Sequence, residues 1–192
     1  MIDASVVHIL EGHDVVALMV KGLAGRKALD GVRGVEDKLA DVAAAEDQPI
    51  LVRFKAFEAL FARAPKRLGR LDAAGKAVLA RVYAGAARAL RETNLFGLPP
   101  DVGASETSRR LMSAGPAAVA ALAPLLQDRA VARYADSEEA TIAAMKKYRY
   151  RDLAAALIGS ILGVPWDDAT DPAERARSID TLEKRIKTVE AP

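Results

Sequence analysis

Gln48-Pro49-Ile50-Leu51-Val52-Arg53-Phe54-Lys55-Ala56-Phe57-Glu58-Ala59-Leu60-Phe61 is the stretch that decides the fold. Pro49 suits the first turn of a helix, where its missing N–H leaves nothing unpaired. Leu51, Phe54, Phe57, Leu60 and Phe61 then recur at steps of three and four, which puts them along one helical stripe. Pro65 closes the segment. The reading is a helix over residues 49–64.

The same spacing extends in both directions. Upstream, a segment from Ile2 to Leu10 stops at Glu11-Gly12, and Asp14 caps a helix with Val15, Leu18, Met19 and Leu23 on one face. Gly22, Gly25, Gly31 and Gly34 loosen the chain before a short amphipathic stretch at Val35, Leu39 and Val42. Downstream, Asp72 caps a long helix with Val78, Leu79, Val82, Ala86 and Leu90 in its stripe, and Gly97-Leu98-Pro99-Pro100 breaks the chain. A helix over 105–113 follows, and Gly115-Pro116 opens another running through Leu126. Asp136-Ser137-Glu138-Glu139 has capping-box spacing for a short helix to Met145. Helices over 150–162 and from Asp171-Pro172 onward finish the chain, the last with Ile179, Leu182, Ile186 and Val189 on one side. The pattern predicts an all-α protein of roughly eight to ten helices.

Composition agrees. Of 192 residues, 51% are hydrophobic and 28% charged, a globular profile, and only 5% are aromatic. Ala, the best helix former, fills about a fifth of the chain. With 28 basic and 26 acidic residues the charges nearly balance, so composition does not announce a phosphate-binding protein. Cysteine is absent, which excludes disulfides, thiolate metal sites and a cysteine nucleophile. Met1-Ile2-Asp3-Ala4-Ser5 lacks the basic start and apolar core of a signal peptide. No apolar run approaches the ~20 residues of a membrane span. The expected address is the cytoplasm, with no membrane partner.

Three stretches resemble the HEAT-like repeat family. Val52-Arg53-Phe54-Lys55-Ala56-Phe57-Glu58-Ala59-Leu60 is similar to its V-R-x-x-A-x-x-A-L first helix. The segment from Gly115-Pro116-Ala117-Ala118-Val119 to Leu125-Leu126-Gln127-Asp128 resembles its second helix, and Arg151-Asp152-Leu153-Ala154-Ala155-Ala156-Leu157-Ile158-Gly159 again resembles a first helix. The resemblance implies helix pairs 49–64 with 72–91, 105–113 with 116–126, and 150–163 with 172–189. Their period of about fifty residues exceeds the roughly forty of typical units, and residues 136–145 become an insertion. The expected architecture is a short α-solenoid, or an irregular bundle of stacked antiparallel helix pairs. It forms one domain, with less regular helices over 1–47 and HEAT-like pairs over 48–192.

Motifs for chemistry are sparse. His8 and His13 lie five apart around Gly12, not at the i, i+4 spacing that puts two metal ligands on one helix face. Asp167, Asp168 and Asp171 lack the alternating ligands and central Gly of a calcium loop, and read as capping and solvated residues. No phosphate-binding glycine loop or nucleophile elbow is present. No catalytic residue, metal or cofactor is expected. Lys146-Lys147-Tyr148-Arg149-Tyr150-Arg151 interleaves cations with aromatics and would suit phosphates and stacked bases. Its other reading is a helix junction with the tyrosines inward, the cations in water, and Glu138 and Glu139 neutralising part of the charge. Trp166 and Phe96 divide likewise between docking points and core plugs.

The function expected is a non-enzymatic scaffold or adaptor that binds another protein or a larger assembly, with self-association through apolar end faces. Arg53, Phe96, Trp166, Lys146, Lys147, Tyr148, Arg149 and Arg151 are the contact candidates. The alternative is a nucleic-acid-binding HEAT-like module, with glycosylase-like chemistry as an extension.

Overall fold

The computed structural model describes residues 2–135, 137–164 and 166–190, with side chains as far as 187 in the last segment. The chain divides into two compact units, Met1–Ala89 and Leu90–Pro192. Both are helical, and the only extended pairing among the described residues is an isolated bridge between Val131 and Arg149. No helix among the described residues is long and apolar enough to cross a membrane.

The first unit contains α1 (Ala4–Gly12), α2 (Val15–Met19), α3 (Ala24–Asp30), α4 (Val35–Ala44), α5 (Ile50–Arg63) and α6 (Ala73–Ala89), with a 3-10 helix over Pro65–Arg70. Local capping explains several starts. Asp14 Oδ1 accepts the Ala17 N–H at 2.7 Å and Asp72 Oδ1 the Gly75 N–H at 2.8 Å, each satisfying an otherwise orphaned donor. The helix opened by Asp14 ends at Met19, short of Leu23, and the glycine-rich stretch expected to be loose forms α3 instead. Gly25 is buried there, and a Cβ on it would lie 2.9 Å from the His13 ring. This glycine permits close packing; it does not break the helix.

Helix α5 is the hub of this unit, packed by α1, α2, α4, α6 and the 3-10 helix. Every residue from Val52 to Phe61 except Lys55 is buried. Phe54 meets Tyr83 edge-on at 5.0 Å, and Phe57 stacks on Phe61 at 5.5 Å, contacts worth about 0.5–1.5 kcal/mol each beyond the area they bury.

The second unit begins with 3-10 turns at Asn94–Phe96 and Val102–Ala104. It continues through α7 (Glu106–Met112), α8 (Pro116–Leu122), α9 (Glu138–Lys146), α10 (Tyr150–Leu162) and α11 (Pro172–Glu190). Helix α8 is shorter than its apolar pattern, because Pro124 lacks an N–H and its ring would crowd the carbonyl four residues back. Residues Ala123–Gln127 therefore continue as a 3-10 helix. Asp136, expected to cap α9, lies outside the described residues, as do Pro165 and the Val189 side chain. Ser137 caps α9, accepting the Ala140 N–H at 3.2 Å.

Helix α10 is the second hub. It is packed by α7, by α8 and its 3-10 continuation, by the Val102–Ala104 turn and by α11. Helices α7 and α8 thus share α10 as a partner, an arrangement centred on one helix more than on successive pairs. All ten residues from Tyr150 to Gly159 are buried. Three consecutive alanines, Ala154 to Ala156, make room for helices on several sides. At Gly159 the approach is closest, since a Cβ there would stand 2.8 Å from the Val164 carbonyl oxygen.

Candidate functional site

The basic and aromatic run at 146–151 spans the join from α9 to α10, and the structure takes most of it out of solvent. Tyr148 and Tyr150 are each 1% exposed, so no aromatic face is free to stack on a base. The Tyr148 hydroxyl donates to Asp168 Oδ1, and Lys146 Nζ reaches both Asp168 Oδ2 at 2.7 Å and its carbonyl at 2.9 Å. The neutralising acid is therefore Asp168, from the loop before α11; sequence proximity had suggested Glu138 and Glu139. Lys147 is exposed and caps α9 in the left-handed region at φ 53°. Arg149 is partly exposed, and Arg151 is only 8% exposed. The expectation that these cations remain in water holds for Lys147 and in part for Arg149.

Beneath the run lies an ion pair that spacing along the sequence did not reveal. Arg175 of α11 is fully buried and donates from Nε to Asp152 Oδ1 at 3.3 Å. Its other nitrogens reach the carbonyls of Ala169 at 2.7 Å, Thr170 at 3.1 Å and Lys146 at 2.7 Å. Its guanidinium carbon stands 5.3 Å from the Tyr148 ring centre. Asp152 also accepts the Arg149 N–H at 2.8 Å, capping α10. Arg175 thus joins the end of α9, the start of α10 and the loop before α11. Burial, then the hydrogen bond to Asp168, push the Tyr148 phenol well above its ordinary pKa, with Arg175 opposing.

Of the other contact candidates, Phe96 and Arg53 are interior and Trp166 is partly so. Phe96 is fully buried, and its carbonyl accepts from Ser108 Oγ at 2.6 Å. Arg53 is 8% exposed and donates from Nε to the Ala43 carbonyl at 3.1 Å. Trp166 is half-buried with its ring 6.3 Å from Tyr148, and its Cβ lies 3.5 Å from where a Cβ of Gly159 would stand. Phe96 and Trp166 are packing residues in this fold.

A recess open to solvent occurs in the first unit. It is a cleft of about 400 Å³, mostly apolar, with Ala40 and Ala44 of α4, Phe57, Leu60 and Phe61 of α5, and Leu71, Gly75 and Val78 lining its walls. Arg67 and Arg70 also line it. Arg67 is held by Asp37 at 2.7 Å and Glu36 at 3.6 Å. Arg70 is exposed and has no side-chain partner among the described residues. Sequence reading missed this cleft because its walls come from three elements. The only local signal was the Pro65-Lys66-Arg67-Leu68-Gly69-Arg70 insertion between two apolar helices.

Among the described residues no group of three or more His, Asp or Glu side chains could hold a metal ion. Asp171 caps α11 through the Ala173 N–H at 2.9 Å, which accounts for one member of the acidic loop. Compared with family models, curated proteins and solved structures, the chain finds no match.

Proposed function

We propose that this chain is a non-enzymatic protein-binding module, a scaffold or adaptor of HEAT-like helix pairs acting in the cytoplasm. Its cleft along α4, α5 and α6 receives an acidic amphipathic helix of another protein. The observation that carries the reading is the mostly apolar cleft of about 400 Å³ with Arg67 and Arg70 among its lining residues. Phe57, Leu60, Phe61 and Val78 supply the greasy floor that helix-in-groove recognition needs, and Arg70 supplies an uncommitted cation. An apolar stripe flanked by Asp or Glu complements both features. Nucleic acid is the weaker reading, since the tyrosines of the 146–151 run are buried and Lys146 is already paired.

The test is selection of displayed amphipathic helical peptides against the full chain, followed by affinity measurement on Ala44→Glu. Ala44 lines the cleft and is exposed, so the substitution leaves the core intact. Selected peptides should be rich in Asp and Glu and should bind the variant at least about tenfold more weakly. Peptides that bind both proteins equally, or that are enriched in Lys and Arg, would overturn the reading.

A further inference from the structure

Helix α2 and the residue that caps it read Val15-Val16-Ala17-Leu18-Met19-Val20, apolar on every side. A helix of that kind belongs in an interior. Val15 and Leu18 are buried, but Val16, Val20 and Leu23 stand 51%, 48% and 41% exposed. The Val20 N–H donates to the Val16 carbonyl at 3.0 Å, and the Leu23 N–H to the Val20 carbonyl at 3.3 Å. The three exposed aliphatics therefore gather where α2 turns into α3. From Val15 to Leu29 the chain carries Lys21, Arg26 and Lys27 and no acid.

At the same join two guanidiniums share one carboxylate oxygen. Arg63 Nη2, at the end of α5, lies 2.5 Å from Asp30 Oδ1, and Arg26 Nε lies 3.5 Å from the same atom. Arg26 Nη1 also reaches the Met19 carbonyl at 3.4 Å, on the peptide that leads into Val20. That contact sets the pair next to the exposed aliphatics. Asp30 is the only acid paired with either arginine among the described residues. Arg26 Nε and Arg63 Nη1 are buried without a hydrogen-bond partner among those residues. Burial, then Arg63, lowers the Arg26 pKa against the pull of Asp30. Arg67 shows the opposite ratio, one cation held by Glu36 and Asp37. Two cations on one monoanion leave a surplus positive charge beside an apolar surface.

We propose that Arg26 and Arg63, with Val16, Val20 and Leu23, form a docking site for a protein segment in which an Asp or Glu borders aliphatic side chains. One incoming carboxylate matches the surplus charge, and each arginine then holds an acid of its own. The two side chains keep 14% and 12% of their surface exposed, so a single side chain can reach them from solvent. Asp30, itself half exposed, repels a ligand that carries several negative charges, which disfavours a phosphate dianion or a nucleic-acid backbone. A layer of lipid headgroups meets the exposed Lys21 and Lys27 before it meets arginines this recessed. Aliphatic side chains on the partner cover Val16, Val20 and Leu23 and take that surface out of water. None of these residues lines the cleft along α4, α5 and α6, so the site does not depend on a helix binding there.

The experiment follows the arginine Nε–H resonances of the full chain by NMR as the capped peptide acetyl-Leu-Glu-Leu-amide is added. The same peptide with Gln in place of Glu, and inorganic phosphate, are titrated in parallel, and cosedimentation with phosphatidylserine vesicles is measured separately. The Arg26 and Arg63 Nε–H signals should shift and saturate with the Glu peptide, and the Gln peptide should bind at least about tenfold more weakly. Two substitutions at exposed positions should move the affinity in opposite directions. Val20→Ser should weaken it about fivefold by removing apolar contact. Asp30→Asn should tighten it about fivefold by removing the competing acid, a gain that a purely structural role for the arginines does not produce. Several results would each overturn the proposal: Glu-peptide binding that moves neither arginine signal, equal binding of the Gln form, or affinity unchanged in both variants. Tighter binding of phosphate than of the Glu peptide, or vesicle binding that is lost in Val20→Ser, would overturn it as well.

Discussion

Two helices with similar local sequence, α5 and α10, sit at the centres of the two units and solve the same problem differently. Each is buried over about ten residues, nearly three turns, and each carries a buried arginine and a buried acid. Helix α5 fills its surroundings with large rings, Phe54, Phe57 and Phe61, and ties Glu58 to the Tyr83 hydroxyl at 2.5 Å. Helix α10 presents Ala154, Ala155, Ala156 and Gly159, letting neighbours approach, and ties Asp152 to the buried Arg175. The first hub rests on volume and the second on proximity and charge. The difference teaches that an apolar helical pattern specifies burial without specifying what balances the buried charge.

That contrast is broken most sharply at Arg175. Replacing it with Met leaves Asp152 buried without its partner and should cost about 3–5 kcal/mol, read as a lower denaturant midpoint for Trp166 fluorescence. A loss below 1 kcal/mol would mean that the ion pair does not hold α10 to α11. On the other hub the comparable loss comes from shrinking a ring: Phe54→Ala should cost about 3–5 kcal/mol through the cavity it leaves.

Enlarging α10 is the next effect in size. Ala155→Leu forces a side chain into a site with 0% exposure, and overpacking of this kind costs about 1–3 kcal/mol. Gly159→Ala should fall in the same range, because its new Cβ would stand 2.8 Å from a backbone oxygen that has no rotamer to move. Equilibrium unfolding by circular dichroism checks both, and wild-type stability in either would refute close approach as the basis of this hub.

The alkaline limb sharpens the charge side of the comparison. Tyr134 and Tyr148 have phenol pKa values raised chiefly by burial. For an acid whose folded pKa lies above its unfolded value, the contribution to stability is complete below the unfolded pKa, about 10 for tyrosine. It is lost as pH rises toward the folded value. Stability should therefore begin to fall near pH ~10, with phenolate absorbance appearing together with unfolding. Tyr148→Phe should flatten that fall, while losing the hydroxyl bond to Asp168 at neutral pH. The smallest expected effect is at Lys147, where φ is 53°. Relief of left-handed strain by Lys147→Gly, offset by the flexibility of glycine in the unfolded chain, should gain about 0.5 kcal/mol. A loss of stability there would mean that the lysine side chain itself supports the junction.

What the sequence determined by itself was the set of helices whose ends are fixed locally. Asp14, Asp72 and Ser105 each cap a start through a bond to a backbone N–H three residues on, Pro49 and Gly115-Pro116 mark one by their backbone geometry, and a linear reading can follow these. It could not follow α3, where Gly25 packs against His13, nor the cleft, whose walls come from separate helices and a 3-10 segment. The fate of the charges was decided only in three dimensions. Lys146 finds Asp168 22 residues away, and Arg175 finds Asp152 23 residues away. The Arg151 Nε is buried without a hydrogen-bond partner among the described residues. The reason is physical: capping depends on neighbours within one turn, whereas the cost of a buried charge depends on whatever group the folded chain brings to its side.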